Sequence, residues 1–246
     1  MANLKKIEEF LNKTLEIDKF SSDVSHNGLQ VQGNDEIKNI CFCVDASMDF
    51  FKKAKKENCD LLIVHHGMFW NKKETITGHI YKKVKFLIDN NMSLYACHLP
   101  LDAHLKYGNN SNILRILGAK IKEKIDVGYV GELNKSIDLK KLVEKINDKL
   151  DTRCKLICYG KKKIKNIAVI SGGAPWNVFD TFEKNIDVYI TGDIAHGVYH
   201  PTKESKMNFI SAGHYATETV GVKALMPLLE KKFKVKTVFI DVPTGL

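Results

Sequence analysis

"LLIVHHGMFW", residues 61–70, runs four apolar residues straight into two adjacent histidines, His65 and His66, and then into Gly67. A short apolar run bounded in this way predicts a strand buried on both faces, as in a parallel sheet covered by helices. Ligands of such sheets gather at the carboxyl ends of the strands, where the loops converge. His65 and His66 stand at such an end. Neighbouring residues of an extended strand normally face opposite ways. Where the chain turns through Gly67 the two imidazoles are instead expected to diverge around one shared site.

Working outward, short apolar runs alternate with helical patterns, which predicts an α/β protein with largely parallel strands. Strands are expected at 38–44, 60–65, 92–97, 154–158, 165–170, 187–191, 208–212 and 236–240. Helices are expected near 47–57, 79–90, 110–117, 138–150, 176–184, 194–200 and 215–232. The N-terminal "MANLKKIEEFLNKTLEI" puts Leu4, Ile7, Phe10, Leu11 and Leu15 on one helical face and has no small-residue cleavage site, so a cytoplasmic protein is expected.

The chain also overlies itself. Shifted by 127 positions, "NICFCVDASMDFFKKAKKENCDLLIVHH" (39–66) lies over "NIAVISGGAPWNVFDTFEKNIDVYITGD" (166–193), with Asn39, Ile40, Asn58, Asp60 and Ile63 identical to Asn166, Ile167, Asn185, Asp187 and Ile190. The shared order is strand, helix, Asn-x-Asp and second strand. Two related α/β lobes follow, the first carrying the histidines. Approximate limits are 1–125 with 205–246 for the first lobe and 126–204 for the second.

Composition narrows the function classes. The 246 residues are 44% hydrophobic and 27% charged, and no apolar run approaches the ~20 residues of a membrane helix. The six cysteines lack the paired spacing of a zinc site and are expected as reduced core residues. A net charge of +9 invites phosphate-bearing partners, but only Arg115 and Arg153 are arginine. Base readout favours arginine's fork, so any nucleic-acid binding is expected to be salt-sensitive and weak in sequence preference.

Three strand ends supply metal-ligating types. His65 and His66 follow the strand at 60–65; "CHLPLD" (97–102) follows 92–97 and brings His98 and Asp102; Gly213-His214 follows "NFISA". His214 and Glu218 stand one helical turn apart and reach one site together. Three imidazoles and two carboxylates suit zinc, iron, manganese or cobalt. Five ligands exceed the three of a mononuclear catalytic zinc, so two divalent ions bridged by a carboxylate are expected. His98 is a candidate proton shuttle, since imidazole changes charge near neutral pH. His196 and His200, with Gly197 between them and Pro201 after, read as surface residues. "ISGGAP" and "HNGLQVQG" match no phosphate-loop fingerprint and read as turns or as backbone that approaches a phosphate.

"NGLQVQG" (27–33), "DLLIVHHGMFW" (60–70), "HLPLDAHLKYGNN" (98–110), "TGD" (191–193), "SAGHYATETVGVKAL" (211–225) and "FIDVPTG" (239–245) together resemble, in order and over nearly the whole chain, the Nif-three-like family, also called GTP cyclohydrolase I type 2 homologs. The resemblance implies interlocked α/β lobes with metals in the cleft between them, and a ring of subunits, commonly a hexamer. It puts the metal ligands on His65, His66, Asp102, His214 and Glu218, with Glu218 bridging. It also implies hydrolytic opening of the GTP imidazole ring with release of formate. A nucleotide or another phosphorylated small molecule is the expected partner; the alternative is a metal-binding, ring-shaped scaffold or regulatory protein that binds nucleic acid through its lysines. Many relatives have proline in place of Gly67 and Glu in place of Asp193, so the sequence assigns Asp193 no role.

Overall fold

The computed structural model describes residues 2–70 and 74–246. In chain order the elements begin with β1 (Ala2–Asn3), α1 (Leu4–Thr14), β2 (Gly28–Val31), β3 (Glu36–Ile37), β4 (Asn39–Asp45), α2 (Met48–Lys56), β5 (Leu61–His66), α3 (Gly78–Asp89) and β6 (Ser93–Ala96). There follow α4 (Leu99–Ala103), α5 (Asn109–Leu117), β7 (Ala119–Ile125), β8 (Gly128–Asp138), α6 (Leu139–Leu150), β9 (Lys155–Cys158) and β10 (Lys163–Val169). The chain ends with β11 (Val188–Thr191), α7 (Tyr199–Glu204), β12 (Asn208–Ser211), α8 (His214–Phe233) and β13 (Lys236–Phe239).

Two compact units result. The first comprises Met1–Leu101 and Val222–Val242; the second comprises Asp102–Gly221 and Pro243–Leu246. Residues 102–125, 205–221 and 243–246, assigned to the first lobe from sequence, thus group with the second unit. The reason is pairing: β7 joins β8, and β12 joins β11 and β9.

In the first unit the sheet order is β13-β4-β5-β6-β2, parallel except for the antiparallel edge strand β2. Ile40 to Val44 in β4 and Leu61 to Val64 in β5 are all buried, as expected of strands covered on both faces. On α1, Leu4, Ile7 and Leu11 face inward, and the Asn3 side chain caps the helix by accepting from Lys6 N. The second sheet, ordered β7-β8-β10-β11-β12-β9, is parallel only through β10-β11-β12. The expectation of a largely parallel protein therefore holds for the first sheet alone. The β7–β8 hairpin escaped sequence reading because β7, "AKIKEKI", buries only its two ends. Helices expected at 176–184 and 194–200 are instead 3-10 turns at Pro175–Thr181 and His196–Val198, the latter running into α7.

The internal repeat is physical. Ile40 pairs with Leu61 as Ile167 pairs with Val188, each partner displaced by the same 127 positions. Asp60 Oδ2 accepts from Lys38 N and Asn39 N at 2.8 and 3.0 Å, and Asp187 Oδ2 accepts from Lys165 N and Asn166 N at 2.8 and 2.9 Å. In both units an antiparallel edge strand closes a parallel core, β2 against β6 beside four parallel strands in the first and β9 against β12 beside three in the second. The cysteines depart from expectation at one pair: Cys41 in β4 and Cys59 before β5 are disulfide-bonded, with α-carbons 5.9 Å apart, a spacing that suits the bridge. Burial pushes the Cys154 thiol up to about 11, which keeps it protonated and inert at neutral pH. Among the described residues no helix is long and apolar enough to cross a membrane.

Burial raises the pKa of Asp187, but Lys161 and the two backbone donors outweigh it and hold the carboxyl below its ordinary value. A depressed native pKa contributes stability that is complete above the ordinary carboxylate range and lost as pH falls through the native value. Asp187→Ala leaves two part-buried N–H groups without their acceptor and is expected to cost about 1–3 kcal/mol at neutral pH, read as a lowered urea midpoint. The deficit against wild type should shrink on acidification. An unchanged midpoint at pH 7 would refute the anchoring role.

Candidate metal centre

In the first unit three imidazoles meet. His65 is fully buried at the end of β5, and His66 follows it. Their ring centroids lie 4.6 Å apart, and the His98 ring stands 5.2 Å from His65 and 5.6 Å from His66. One ring nitrogen from each lies within 4.8 Å of the others. The chain can turn straight after His66 because Gly67 has no side chain: a Cβ there would run into the Gln30 amide and the Ala96 methyl. Gln30 in turn accepts from Met68 N at 2.7 Å and donates to the His26 carbonyl at 2.7 Å.

Every one of these rings is held at Nδ1 by an oxygen. His65 Nδ1 lies 2.9 Å from the Cys97 carbonyl, His66 Nδ1 2.9 Å from Asp45 Oδ1, and His98 Nδ1 2.8 Å from Asp23 Oδ1. The carbonyl cannot donate, so Nδ1 of His65 carries the proton and its Nε2 lone pair is the one that can face a metal; the carboxylate oxygens of Asp45 and Asp23 favour the same tautomer in His66 and His98. Carboxylates and carbonyls behind the ring are how ligating histidines are oriented. Asp23 and Asp45 were not anticipated. Asp45 had a signal, since it ends β4 beside His66 in the sheet register, whereas Asp23 lies in a loop without one.

Asp23 is buried and satisfied four times, by Ser25 N, Asn27 Nδ2, His98 Nδ1 and Leu99 N at 2.8 to 3.0 Å. Burial pushes its pKa up, but the hydrogen bonds from His98, Asn27 and Ser25 more than reverse that, to about 2.

In the second unit Asp102, Glu218 and His214 gather. Asp102, in α4, is buried; its Oδ1 accepts from Asn109 Nδ2 and Ser171 Oγ, both at 2.8 Å. Asn109 Oδ1 accepts from Gly221 N at 2.7 Å, so one buried amide fixes both the carboxylate and α8. Glu218 is buried on α8, and its Oε1 lies 3.2 Å from His214 Nε2 across the expected helical turn. A carboxylate oxygen of Asp102 and one of Glu218 lie within 4.8 Å of each other. His214 Nδ1 rests 2.9 Å from Asp193 Oδ2, which gives Asp193 the orienting part that Asp45 has for His66.

"ISGGAP" shapes this cluster. Gly172 has φ +65°, and a Cβ there would strike Glu218 Oε1 and approach His214 Nε2 to 3.2 Å. The position is closed to side chains on both counts. The Gly172 carbonyl accepts from Gly192 N and Asp193 N, and its N–H donates to Thr217 Oγ1. Glu218 raises the His214 pKa most; burial opposes it and Asp193 adds to it, giving about 9. A buried carboxylate pair demands positive charge. Here the imidazolium supplies one, and a divalent cation answers the same demand with the same donors, so the residues fit a metal. His196 and His200, by contrast, are exposed.

With this geometry in view, comparison with known proteins gives the family. Residues 2–245 match the family model Duf34/NIF3 (NGG1p interacting factor 3). The chain belongs to this family. A relative from Pyrococcus horikoshii named "GTP cyclohydrolase 1 type 2 homolog" is 44% identical over 248 residues, covering 98% of each chain. Among solved structures, TTHA1606 from Thermus thermophilus has a TM-score of 0.93 at 34% identity, covering 99% of this chain and 100% of its own. Protein ybgI, of unknown function, reaches 0.94 at 30% identity with both chains fully covered. The mixed α/β fold is thus that of the NIF3 superfamily.

Asp23→Ala leaves Ser25 N and Leu99 N without their acceptor and is expected to destabilise the protein by about 2–4 kcal/mol. The sign is that of a depressed carboxylate: its contribution, about 2 kcal/mol, is complete above pH 4 and lost as pH falls toward 2. Thermal midpoints measured from pH 7 to pH 2 should therefore draw together for wild type and variant, and curves parallel throughout would contradict the assignment.

Proposed function

We propose that the protein is a metal-dependent hydrolase whose two divalent transition ions are held by His65, His66, Asp102, His214 and Glu218. The observation that carries this is the shared posture of the imidazoles: His65, His66 and His214 each have Nδ1 against a carbonyl or carboxylate, which turns Nε2 toward a ligand. Two buried carboxylates in the second unit complete a mixed nitrogen and oxygen donor set suited to zinc, iron, manganese or cobalt. Such ions, when bound, supply Lewis-acid activation of water and of a substrate oxygen.

The chain's own groups do the rest. His98, tethered at Nδ1 by Asp23, has Nε2 for moving a proton, and the Trp70 ring, 5.2 Å away and edge-on, limits the approach of solvent to it. The names of the relatives suggest GTP as substrate. Water would add at C8 of the imidazole ring, cleavage of the ring C–N bond would leave a formamide, and a second water would release formate.

Elemental analysis of purified wild type beside His65→Ala and Glu218→Ala tests the site. About two transition ions per chain in wild type and clear depletion in both variants are expected. Formate release from GTP by the loaded protein tests the reaction. Ions without turnover would leave a metal-binding scaffold, and a protein that stays metal-free after reloading would overturn the proposal. Asp193→Ala should weaken metal binding by roughly 10- to 100-fold in a chelator competition, since it frees the ring that it orients.

A further inference from the structure

The second unit carries a cavity of about 830 Å³ that includes Asp193 in its wall, within the range of small-molecule sites. The chemistry described so far does not use it. Arg153 and Lys155, where the chain enters β9, line the cavity, and neither is in an ion pair among the described residues. The side-chain carboxylates lining it are those of Asp151 and Asp193, and Asp193 is already engaged by His214. Trp176, also in the wall, is 54% exposed, unusual for an indole. It is nevertheless held. Gly197 packs against it so closely that a Cβ there would lie 2.5 Å from Cη2, and the Phe179 ring tilts against it at 6.0 Å. Gly173, Gly192, Gly213 and Gly245 add bare backbone to the walls, which permits close approach by a ligand.

We infer that this cavity binds a nucleoside phosphate, with Arg153 and Lys155 taking the phosphates and Trp176 taking the face of the base. Guanidinium matches phosphate oxygens in pairs, and ammonium adds a point charge. An anchored, open indole accepts any flat heteroaromatic ring. The inference deepens the hydrolase proposal by assigning a nucleotide its binding cavity and residues, and it rests on that proposal for catalysis, though not for binding: Asp193 both lines the cavity and orients His214.

Isothermal titration of the full chain with GTP, inorganic triphosphate and guanosine, on metal-loaded and on chelator-treated protein, separates the parts. In chelator-treated wild type, GTP should bind more tightly than either fragment. Arg153→Ala should raise the Kd for GTP and for triphosphate roughly tenfold and leave guanosine unchanged. Trp176→Ala should raise it for GTP and guanosine roughly five- to tenfold and leave triphosphate unchanged. Both side chains are exposed, so the variants are expected to fold, and Lys155→Ala repeats the phosphate arm with an independent residue. The same pattern in Glu218→Ala would uphold the cavity even if the metal proposal failed. Binding that requires metal and ignores Arg153→Ala and Trp176→Ala would overturn the cavity while leaving the metal proposal intact. No binding of any of the three probes to wild type would overturn the ligand class.

Discussion

A carboxylate taken out of water must be met by hydrogen bonds or by positive charge, and the buried acids Asp23, Asp102, Asp187 and Glu218 obey that constraint in ways that shape the site. Asp60 and Asp187 gather backbone N–H groups at the start of their parallel strand pairs and lock the register. Asp23, Asp45 and Asp193 take imidazole Nδ1 and decide which nitrogen of His98, His66 and His214 is presented. Asp102 and Glu218 lie deeper and are met by an amide, a hydroxyl and a histidine. Strand pairing carries Asp45, Asp60 and Asp187 to their places, whereas a loop holds Asp23 and helices hold Asp102 and Glu218.

The repeat explains how one frame came to hold two different sets of groups. At equivalent strand ends the first unit has His65 and His66 where the second has Gly192 and Asp193. In the first unit His65 and His66 stand on the strand itself. In the second, the strand end contributes a glycine and a carboxylate that support His214 on the following helix. Backbone register is shared between the units while donor chemistry is divided, which is what separates the constraint of folding from that of function.

The sequence alone determined the parallel cores, because runs such as "LLIVHH" bury both faces and carry their own signature. It also determined which types of side chain stand at three strand ends, and the one-turn spacing of His214 and Glu218. Local pattern had less to say where structure depends on partners far away in the chain. The lysine-rich β7 becomes a strand only by pairing with β8, and the antiparallel half of the second sheet follows from that. Asp23 has no motif; it matters because residues 75 and 76 positions distant donate to it. Asp193, which the sequence left without a role, acquires one from a histidine 21 positions away. Tautomer, burial and charge are properties of neighbours in space, and only the tertiary structure decides who those neighbours are.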